Sequence, residues 1–291
     1  MQVWAIKRPA LLRRFPQKNQ RRGGRQAVRL RRELKGRGVP LIPSLFVSHG
    51  SPELVLKEGE WASALKKLGG RIRELNPELA LVVSAHWLTE GVYLECSERH
   101  RTLHDFSGFS RELYELEYPA KGDPELCGKI ARVLGGRCST GRGLDHGAWA
   151  VLWHLFPEAD IPVTQLSIDV RRGLGGHLSL AGELRAFRDK VLILGSGGAV
   201  HNLRDAILNP ERPPEWAVEF KENIKKSVLR RDIDSLLGYR NELGRLAHPT
   251  EEHLIPLFYF LGSLYEEEEI EVIYDGFEFG SVSLLSFTSL S

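Results

Sequence analysis

The sequence lacks an apolar run long enough to cross a bilayer, and it contains few cysteines. Its richest apolar stretches, Leu79 to Ala85 and Val191 to Val200, are short or broken by glycine and serine, whereas a spanning helix needs about 20 apolar residues. We therefore expect no membrane association. The three cysteines, Cys96, Cys127 and Cys138, show neither C-x-x-C nor zinc-finger spacing. We expect no disulfide framework and no thiolate metal site, which suits a reducing cytoplasm.

Basic residues are concentrated at the N-terminus. Residues 1–38 hold 13 Lys or Arg and one acidic residue, Glu33, whereas the rest of the chain holds 27 Lys or Arg and 37 Asp or Glu. Such a segment can be a nucleic-acid-binding arm or a mitochondrial transit peptide, but transit peptides are rich in serine and the first serine is Ser44. Met1 is the only methionine, and the first strand-like run begins at Val39. We expect a disordered extension or a misassigned start, and no nucleic-acid partner.

The remaining residues, 39–291, have the pattern of a globular enzyme. The whole chain is 42% hydrophobic and 27% charged, which excludes disordered, collagen-like and coiled-coil proteins. Short β-rich runs alternate with helical stretches, which predicts a single α/β domain with a central, mainly parallel or mixed β-sheet flanked by helices. The predicted strands are Leu41 to Ser48, Leu79 to Ala85, Val92 to Cys96, Pro162 to Ile168, Lys190 to Gly195, Glu271 to Tyr274 and Ser281 to Phe287. The predicted helices are Trp61 to Leu75, Pro124 to Leu134, Ala148 to Leu155, Leu178 to Arg188, Glu215 to Arg230, Asp232 to Leu243 and Glu252 to Leu264.

Histidines stand where the predicted strands end. His49 closes LFVSHGSP, His86 closes LVVSAHW, and His201 follows the strand in VLILGSGGAVHNL. Ligands of open α/β sheets bind beyond the carboxyl ends of the strands, so these side chains predict a metal site at one edge. Three further histidines lie in loops or at helix starts that could reach the same edge: His146, His248 and His253. The glycines of GSGGA lack nucleotide-binding spacing, and we interpret them as making room for the site.

The ligand type alone leaves the metal and the chemistry open, because imidazole binds zinc, iron, copper and nickel. Zn²⁺ with a bound water would make a hydrolytic site, for which Glu251 or Glu252 could serve as the base. Fe²⁺ held by three protein ligands would leave adjacent positions for a substrate and O2. Both alternatives follow from the same histidines.

Several sequence blocks also occur together, in the same order, in a known family. They are SHGSP, SAHW, HDFSGF, YPA, LDHGAW, IPVTQLSID, GSGGAVHNL, HPTEEHLIPLFYFLG and GSVSLLSF. From about Leu45 to Phe287 the chain resembles the LigB-like class III extradiol ring-cleavage dioxygenases, especially the branch called 4,5-DOPA dioxygenase extradiol. The resemblance does not include residues 1–38. It implies a catalytic domain over 39–291, an oxidoreductase of aromatic-compound metabolism that opens a catechol ring and incorporates both atoms of O2.

The resemblance also implies roles for individual histidines. His49, His86 and His253 match metal ligands, and His201 matches a residue described either as the acid/base or as a further metal contact. His146 matches a pocket histidine that contacts the catechol oxygens or bound oxygen, a catalytic and substrate-binding role. Protocatechuate-cleaving members have a carboxylate where His253 stands here. The resemblance implies Fe²⁺ for activity, but a site of three histidines also suits Zn²⁺, so we keep Zn²⁺ as an alternative bound ion.

The substrate is less well determined by the sequence than the metal site. Trp87 and Phe106 stand near the expected site and would stack on a planar ring, so we expect a small catechol. Arg99, Arg101 and Arg111 flank the long irregular segment from His100 to Gly122, but we interpret them as solvated charges and assign none to a substrate carboxylate. A zinc-bound hydrolase and a non-catalytic metal- or partner-binding protein of the same fold remain alternatives, and a homo-oligomer stays open.

Overall fold

The structure is a computed structural model that describes residues 41–207 and 211–290. The prediction for the basic segment 1–38 therefore concerns residues outside the described part. The described strands are β1 (Ser44–Ser48), β2 (Leu79–Thr89), β3 (Tyr93–Glu95), β4 (Arg137–Ser139), β5 (Val163–Asp169), β6 (Val191–Gly197), β7 (Glu271–Tyr274), β8 (Phe277–Glu278), β9 (Val282–Ser283) and β10 (Ser286–Thr288). The described α-helices are α1 (Glu60–Arg73), α2 (Arg111–Glu115), α3 (Pro124–Val133), α4 (His146–Leu155), α5 (Leu174–Glu183), α6 (Glu215–Arg230), α7 (Ile233–Leu237), α8 (Glu242–Ala247) and α9 (Ile255–Ser263), with 3-10 helices at Pro52–Leu56 and Leu184–Phe187.

Eight strands form one mixed sheet in the order β4, β3, β5, β2, β6, β1, β10, β7. The β4–β3, β5–β2, β2–β6 and β6–β1 pairs are parallel, and the β3–β5, β1–β10 and β10–β7 pairs are antiparallel. Strands β8 and β9 form a separate antiparallel pair. The predicted α/β domain with a central mixed sheet is therefore confirmed.

Strand β2 shows why the central runs are apolar without interruption. Its residues alternate between the two faces of the sheet. Ala80 and Val82 pack into one core together with residues of α1 and α4, whereas Leu79, Leu81 and Val83 pack into a second core with residues of α5 and α9. All five side chains are fully buried, because helices cover both faces of the sheet.

Several predicted elements differ in detail from those of the structure. The predicted helix from Asp232 to Leu243 is two helices, because Asn241 accepts a hydrogen bond from the backbone N–H of Gly244 and begins α8. The last predicted strand is divided between β9 and β10, and the long irregular segment contains the short helix α2. Within the described residues, no helix combines the length and the apolar character that crossing a membrane requires.

The cysteines form one disulfide, which the sequence analysis, in expecting no disulfide framework, did not anticipate. Cys96 and Cys138 are joined, with their α-carbons 5.5 Å apart, and Cys127 is free and buried. The reason lies in the topology: β3 pairs with β4 in register Leu94 with Cys138, which brings Cys96 beside a cysteine 42 residues away. Motif spacing tests only local pairs, so it could not detect this one. The expectation of a reducing cytoplasm rested on the same cysteine count and loses that support.

Candidate metal centre and substrate cavity

Two of the predicted histidines come to the same edge of the sheet from neighbouring strands. His49 directly follows β1, and its backbone N–H donates to the carbonyl of Gly197 at the end of β6. His86 lies within β2, which continues to Thr89, and not at its end as predicted. The last β2–β6 pair is Ser84 with Ser196, so His86 stands just beyond the regular pairing and its side chain reaches the same edge.

His253 reaches this edge because two glycines of β6 lack side chains. A β-carbon at Gly197 would lie 2.1 Å from the carbonyl oxygen of His253, and one at Gly195 would lie 2.3 Å from the carbonyl oxygen of Pro256. The backbone N–H of Gly198 donates to the same His253 carbonyl at 2.8 Å. The segment that begins α9 is therefore held directly against the strand end, which agrees with the interpretation that GSGGA makes room for the site.

The side chains of His49, His86 and His253 converge. One ring nitrogen of each lies within 4.8 Å of the others, and the Nε2 atoms of His49 and His86 are 3.2 Å apart. Nitrogens bound to one ion at about 2.1 Å would be about 3.0 to 3.4 Å apart. The Nε2 atom of His253 is buried without a hydrogen-bond partner, which is costly unless a ligand satisfies it. These three residues therefore fit a divalent metal ion.

In His49 and His253 the other ring nitrogen, Nδ1, has an oxygen atom beside it. The Ser196 hydroxyl donates to the carbonyl of Gly147 and lies 2.9 Å from His49 Nδ1, so it accepts a hydrogen bond from that nitrogen. Glu252 Oε1 lies 3.2 Å from His253 Nδ1. A proton on Nδ1 leaves the Nε2 lone pair free for the metal, which is the usual arrangement around metal-binding histidines.

Burial keeps these imidazoles neutral. It lowers the pKa of His49 and of His253 well below the usual value, and the positive charge that neighbouring histidines would carry lowers both further. Burial, followed by repulsion from His146, lowers the pKa of His86 to about 4. Neutral imidazole is the form that binds metal ions, so the centre is prepared for a cation at neutral pH.

His146 lies beside this group and is held by a carboxylate. It is the first residue of α4, and its backbone N–H and its Nδ1 both lie 2.9 Å from Asp105 Oδ1. Its ring centroid is 4.0 Å from that of His86. Burial opposes ionisation of Asp105, but the hydrogen bonds and charge of His146 outweigh it and lower the pKa of Asp105 to about 2. The carboxylate is therefore ionised.

His201 reaches the site without joining the three converging histidines. It forms an isolated bridge with Val282 and donates its backbone N–H to the carbonyl of Ala247. Its ring stacks on that of His253, with centroids 3.5 Å apart. Burial lowers its pKa to about 4. The structure thus places His201 against a member of the group but does not bring it into the set of converging nitrogens as a fourth contact.

A cavity of about 540 Å³ opens above the histidines, a volume typical of small-molecule sites. His49, His86, His146, His201 and His253 line it, and so do Phe106 and Phe109. These two rings meet edge to face with centroids 5.4 Å apart. The cavity therefore combines a polar floor with an aromatic wall.

Two expectations about cavity residues are wrong. Trp87 follows His86 on β2 and points to the other side; it is buried under the guanidinium of Arg142, 4.7 Å from its ring, and does not line the cavity. His248 is fully buried, lies 3.0 Å from the carbonyl of Ala199 and is not among the residues that line the cavity. Strand alternation could have excluded Trp87, since adjacent residues face opposite sides.

The glutamates beside His253 have partners of their own. Glu251 forms an ion pair with Arg240 at 2.8 Å, and Glu252 accepts from Thr250 and lies beside His253 Nδ1. Glu252 also lines the cavity that holds the histidines, whereas Glu251 is not among the lining residues. Of the two glutamates, only Glu252 is therefore near enough to act on a molecule bound in the cavity.

Comparison with known proteins identifies the family. Residues 42–286 match the family described as the catalytic LigB subunit of aromatic ring-opening dioxygenase. The chain belongs to the LigB family. A 4,5-DOPA dioxygenase extradiol from Escherichia coli K12 is 38% identical over 255 residues, which is 84% of this chain and 93% of that protein. A 4,5-DOPA dioxygenase extradiol from Beta vulgaris is 32% identical, over 84% of this chain and 95% of its own length.

The fold comparison agrees with this LigB family assignment. The crystal structure of an uncharacterized Escherichia coli K12 protein superposes with a TM-score of 0.72 at 33% identity, covering 85% of this chain and 99% of that one. The resemblance drawn from the sequence blocks is therefore confirmed at the level of family and fold. The family is described as the catalytic subunit of aromatic ring-opening dioxygenases, which supports a dioxygenase class of activity for this chain.

The LigB-family site contains three polar residues that the sequence did not reveal. Asp105 lies in the irregular HDFSGF segment, Ser196 looks like part of a glycine-rich turn, and Arg204 follows the HNL block. Arg204 lines the cavity, whereas Arg99, Arg101 and Arg111 do not. The available signal was that Asp105 and Ser196 lie within family blocks and that Arg204 directly follows one.

Proposed function

We propose that this protein is a non-haem extradiol dioxygenase that uses Fe²⁺ and O2 to cleave the ring of a small catechol. The observation that carries the proposal is the convergence of His49, His86 and His253 on the floor of an aromatic-lined cavity. Fe²⁺ bound there would supply the oxygen chemistry, while the protein supplies the binding, orientation and proton transfer. Zn²⁺ also binds imidazole nitrogen, generally more tightly than Fe²⁺ does, and is the alternative resident ion.

The cavity suits a flat aromatic substrate. Phe106 and Phe109 provide a wall against which a catechol ring packs with little loss of side-chain entropy, and His146 stands between this wall and the three histidines. Because Asp105 accepts the Nδ1 proton, His146 is left with Nε2 as the nitrogen available to a catechol oxygen. We assign His146 a substrate-binding and catalytic role on this ground.

His201 is our candidate for the general base. Burial lowers the pKa of His201 to about 4, so the ring is neutral at pH 7 and can accept a hydroxyl proton. A weaker base still serves when the hydroxyl is acidified by its surroundings, since proton transfer depends on the difference between the two pKa values.

Arg204 points to the chemical class of the catechol. Among the described lining residues, it is the only lysine or arginine. The ion pairs observed within the described residues do not include one made by the Arg204 guanidinium. A cation at the rim of an aromatic cavity favours a substrate that carries a carboxylate away from the ring. The relatives named 4,5-DOPA dioxygenase act, by their name, on such a catechol. We propose a catechol with an anionic side chain.

Oxygen uptake tests the proposal. Metal-free protein is loaded anaerobically with Fe²⁺ or Zn²⁺ and mixed with oxygenated buffer containing DOPA, protocatechuate or catechol. We expect uptake that depends on iron and on catechol, together with a yellow ring-opened product. Stoichiometric metal binding without uptake on any catechol would reject the dioxygenase and favour the zinc hydrolase or the binding protein.

A further inference from the structure

We propose that Asp105 is a positioning residue that orients two histidines with one carboxylate, fixing His146 for the substrate and His86 for the metal. This inference rests on the proposed function only for the roles of the two histidines. What it predicts is which ring nitrogen of His146 and of His86 carries the proton, and this can be measured without any catalytic turnover. Asp105 itself is not among the residues that line the cavity, so it acts through the two histidines that it faces.

The first half of the arrangement fixes His146. Oδ1 of Asp105 lies 2.9 Å from both the backbone N–H and Nδ1 of this residue. The backbone N–H can only donate, so Oδ1 is an acceptor in this pair of contacts, and it can accept a second hydrogen bond from Nδ1. The geometry therefore favours the ring proton on Nδ1. Nε2 then keeps its lone pair. Because the first N–H groups of a helix lack partners within it, the carboxylate also completes the start of α4.

The second half concerns His86. Oδ2 of Asp105 lies 3.6 Å from His86 Nδ1, slightly beyond hydrogen-bond distance, and both side chains are about one-fifth exposed, at 20% and 22%. The negative charge at this distance favours a proton on Nδ1 and leaves Nε2 for the metal. Ser196 and Glu252 place oxygen atoms at Nδ1 of His49 and His253 in the same way. With Asp105 at His86, each of the three converging histidines has one oxygen atom near its Nδ1.

The same three side chains raise the question of a second metal site. Ligand atoms of His86, Asp105 and His146 lie within 4.8 Å of one another. A cation there would need a lone pair on His146 Nδ1, the nitrogen that the geometry makes a donor to Asp105. We therefore assign the cluster to hydrogen bonding, and the number of ions bound per chain distinguishes the two cases.

Two substitutions of Asp105 separate its effect on His146 from its effect on His86. In Asp105→Asn the amide oxygen is expected to stay opposite the His146 backbone N–H, because that N–H requires an acceptor. His146 then keeps its Nδ1 proton. The amide NH2 takes the place of Oδ2 and faces His86 Nδ1, which disfavours the tautomer that binds the metal. In Asp105→Ala both histidines lose their acceptor.

The experiment combines zinc titration with nitrogen-15 NMR of the histidine rings in the full-length protein. We expect one Zn²⁺ per wild-type chain and an Nδ1 proton on His146, which His146→Gln identifies. Asp105→Asn should keep that proton and weaken zinc binding by about 10-fold or more, the size of effect known for such outer residues. Asp105→Ala should also lose the fixed His146 tautomer. Asp160→Asn, an exposed carboxylate paired with Arg73, is the matched control and should change neither property.

Either of two results overturns the proposal. One is an Asp105→Ala protein that unfolds at the wild-type temperature with unchanged zinc affinity and an unchanged His146 tautomer. The other is binding of two Zn²⁺ ions per wild-type chain, with the second lost in Asp105→Ala. Neither readout uses catechol, so a protein that shows these proton positions but consumes no oxygen would refute the proposed function and leave the role of Asp105 standing.

Discussion

The ring of His201 lies flat against the ring of His253, with centroids 3.5 Å and planes 6° apart. Stacking of this kind fixes the plane of His201 and directs its edge along the cavity wall. It also explains why a histidine so close to the three converging nitrogens is absent from their group. Both rings line the cavity, and the arrangement agrees with the proposed roles of His201 as the base and His253 as a metal ligand.

Replacing His201 tests whether it acts as the general base while the ring stacked on it, His253, binds the metal. His201→Gln should retain the metal and bind catechol with little change, whereas turnover should fall by about 10²- to 10⁴-fold, the usual contribution of a general base. Steady-state oxygen uptake and metal analysis of the same sample measure both. His201→Phe, which keeps a stacked ring, should be equally slow. Loss of the metal in both variants would instead make His201 a ligand.

Arg204 should determine which catechols are used. Arg204→Gln removes the cation from the cavity rim, and charged hydrogen bonds contribute about 1.5 to 3 kcal/mol. We expect KM for DOPA or protocatechuate to rise by about 10- to 100-fold, with KM for unsubstituted catechol unchanged. Arg111→Gln, which removes an exposed partner of Glu115, is the control. Equal effects on charged and uncharged catechols would remove Arg204 from substrate recognition.

Gly197 should control the position of His253. An alanine β-carbon would lie 2.1 Å from the His253 carbonyl oxygen, so Gly197→Ala must displace the segment that carries this histidine. We expect zinc affinity to fall by about 10- to 100-fold. Gly70→Ala in α1 meets nothing within 4 Å and should instead stabilise the protein by up to about 1 kcal/mol. Wild-type zinc affinity in Gly197→Ala would show that the close approach is not required.

Two buried histidines outside the site should make stability depend on pH. Burial lowers the pKa of His177 and of His248 to about 4, whereas the unfolded chain has histidine pKa values of about 6.5. Between these values the unfolded chain binds protons that the folded chain does not. The free energy of unfolding is therefore greatest above pH 6.5 and falls as the pH drops toward 4.

Urea unfolding of the metal-free protein measures this dependence. Each of these histidines should contribute a loss on the order of 2 kcal/mol between pH 7.5 and pH 5. His177→Gln removes one titrating group, and its stability should change less over the same interval than that of the wild type. A pH dependence identical to that of the wild type would show that His177 is not buried in its neutral form.

The sequence predicts the part of this site that depends on strand order. His49 directly follows β1, His86 lies near the end of β2 and His201 comes shortly after β6. Parallel strands present their carboxyl ends at one edge, so the proximity of these histidines follows from the strand order. The approach of His253 was predictable only through the family resemblance. In the structure it depends on Gly195 and Gly197, whose small size matters only once α9 is known to pack there.

The remaining features depend on loop paths and on pairings distant in sequence. Asp105 meets His146 across 41 residues, and Cys96 meets Cys138 across 42. Neither contact follows from local periodicity, because both depend on how an irregular segment returns to the sheet. Trp87 illustrates the opposite case, in which a local rule was available: its neighbour His86 faces the site, so Trp87 must face away.

The most direct measurement follows both oxygen atoms from ¹⁸O2 into the product. Wild-type protein and the His86→Ala variant are both treated with Fe²⁺ and mixed with a carboxylate-bearing catechol under ¹⁸O2. The product is trapped rapidly, and its mass is measured by mass spectrometry. We predict a ring-opened product equal to the substrate plus two heavy oxygen atoms, formed by the wild type and absent with His86→Ala, which should bind no iron. A product carrying one heavy oxygen or none, or unchanged turnover by His86→Ala, would contradict the account.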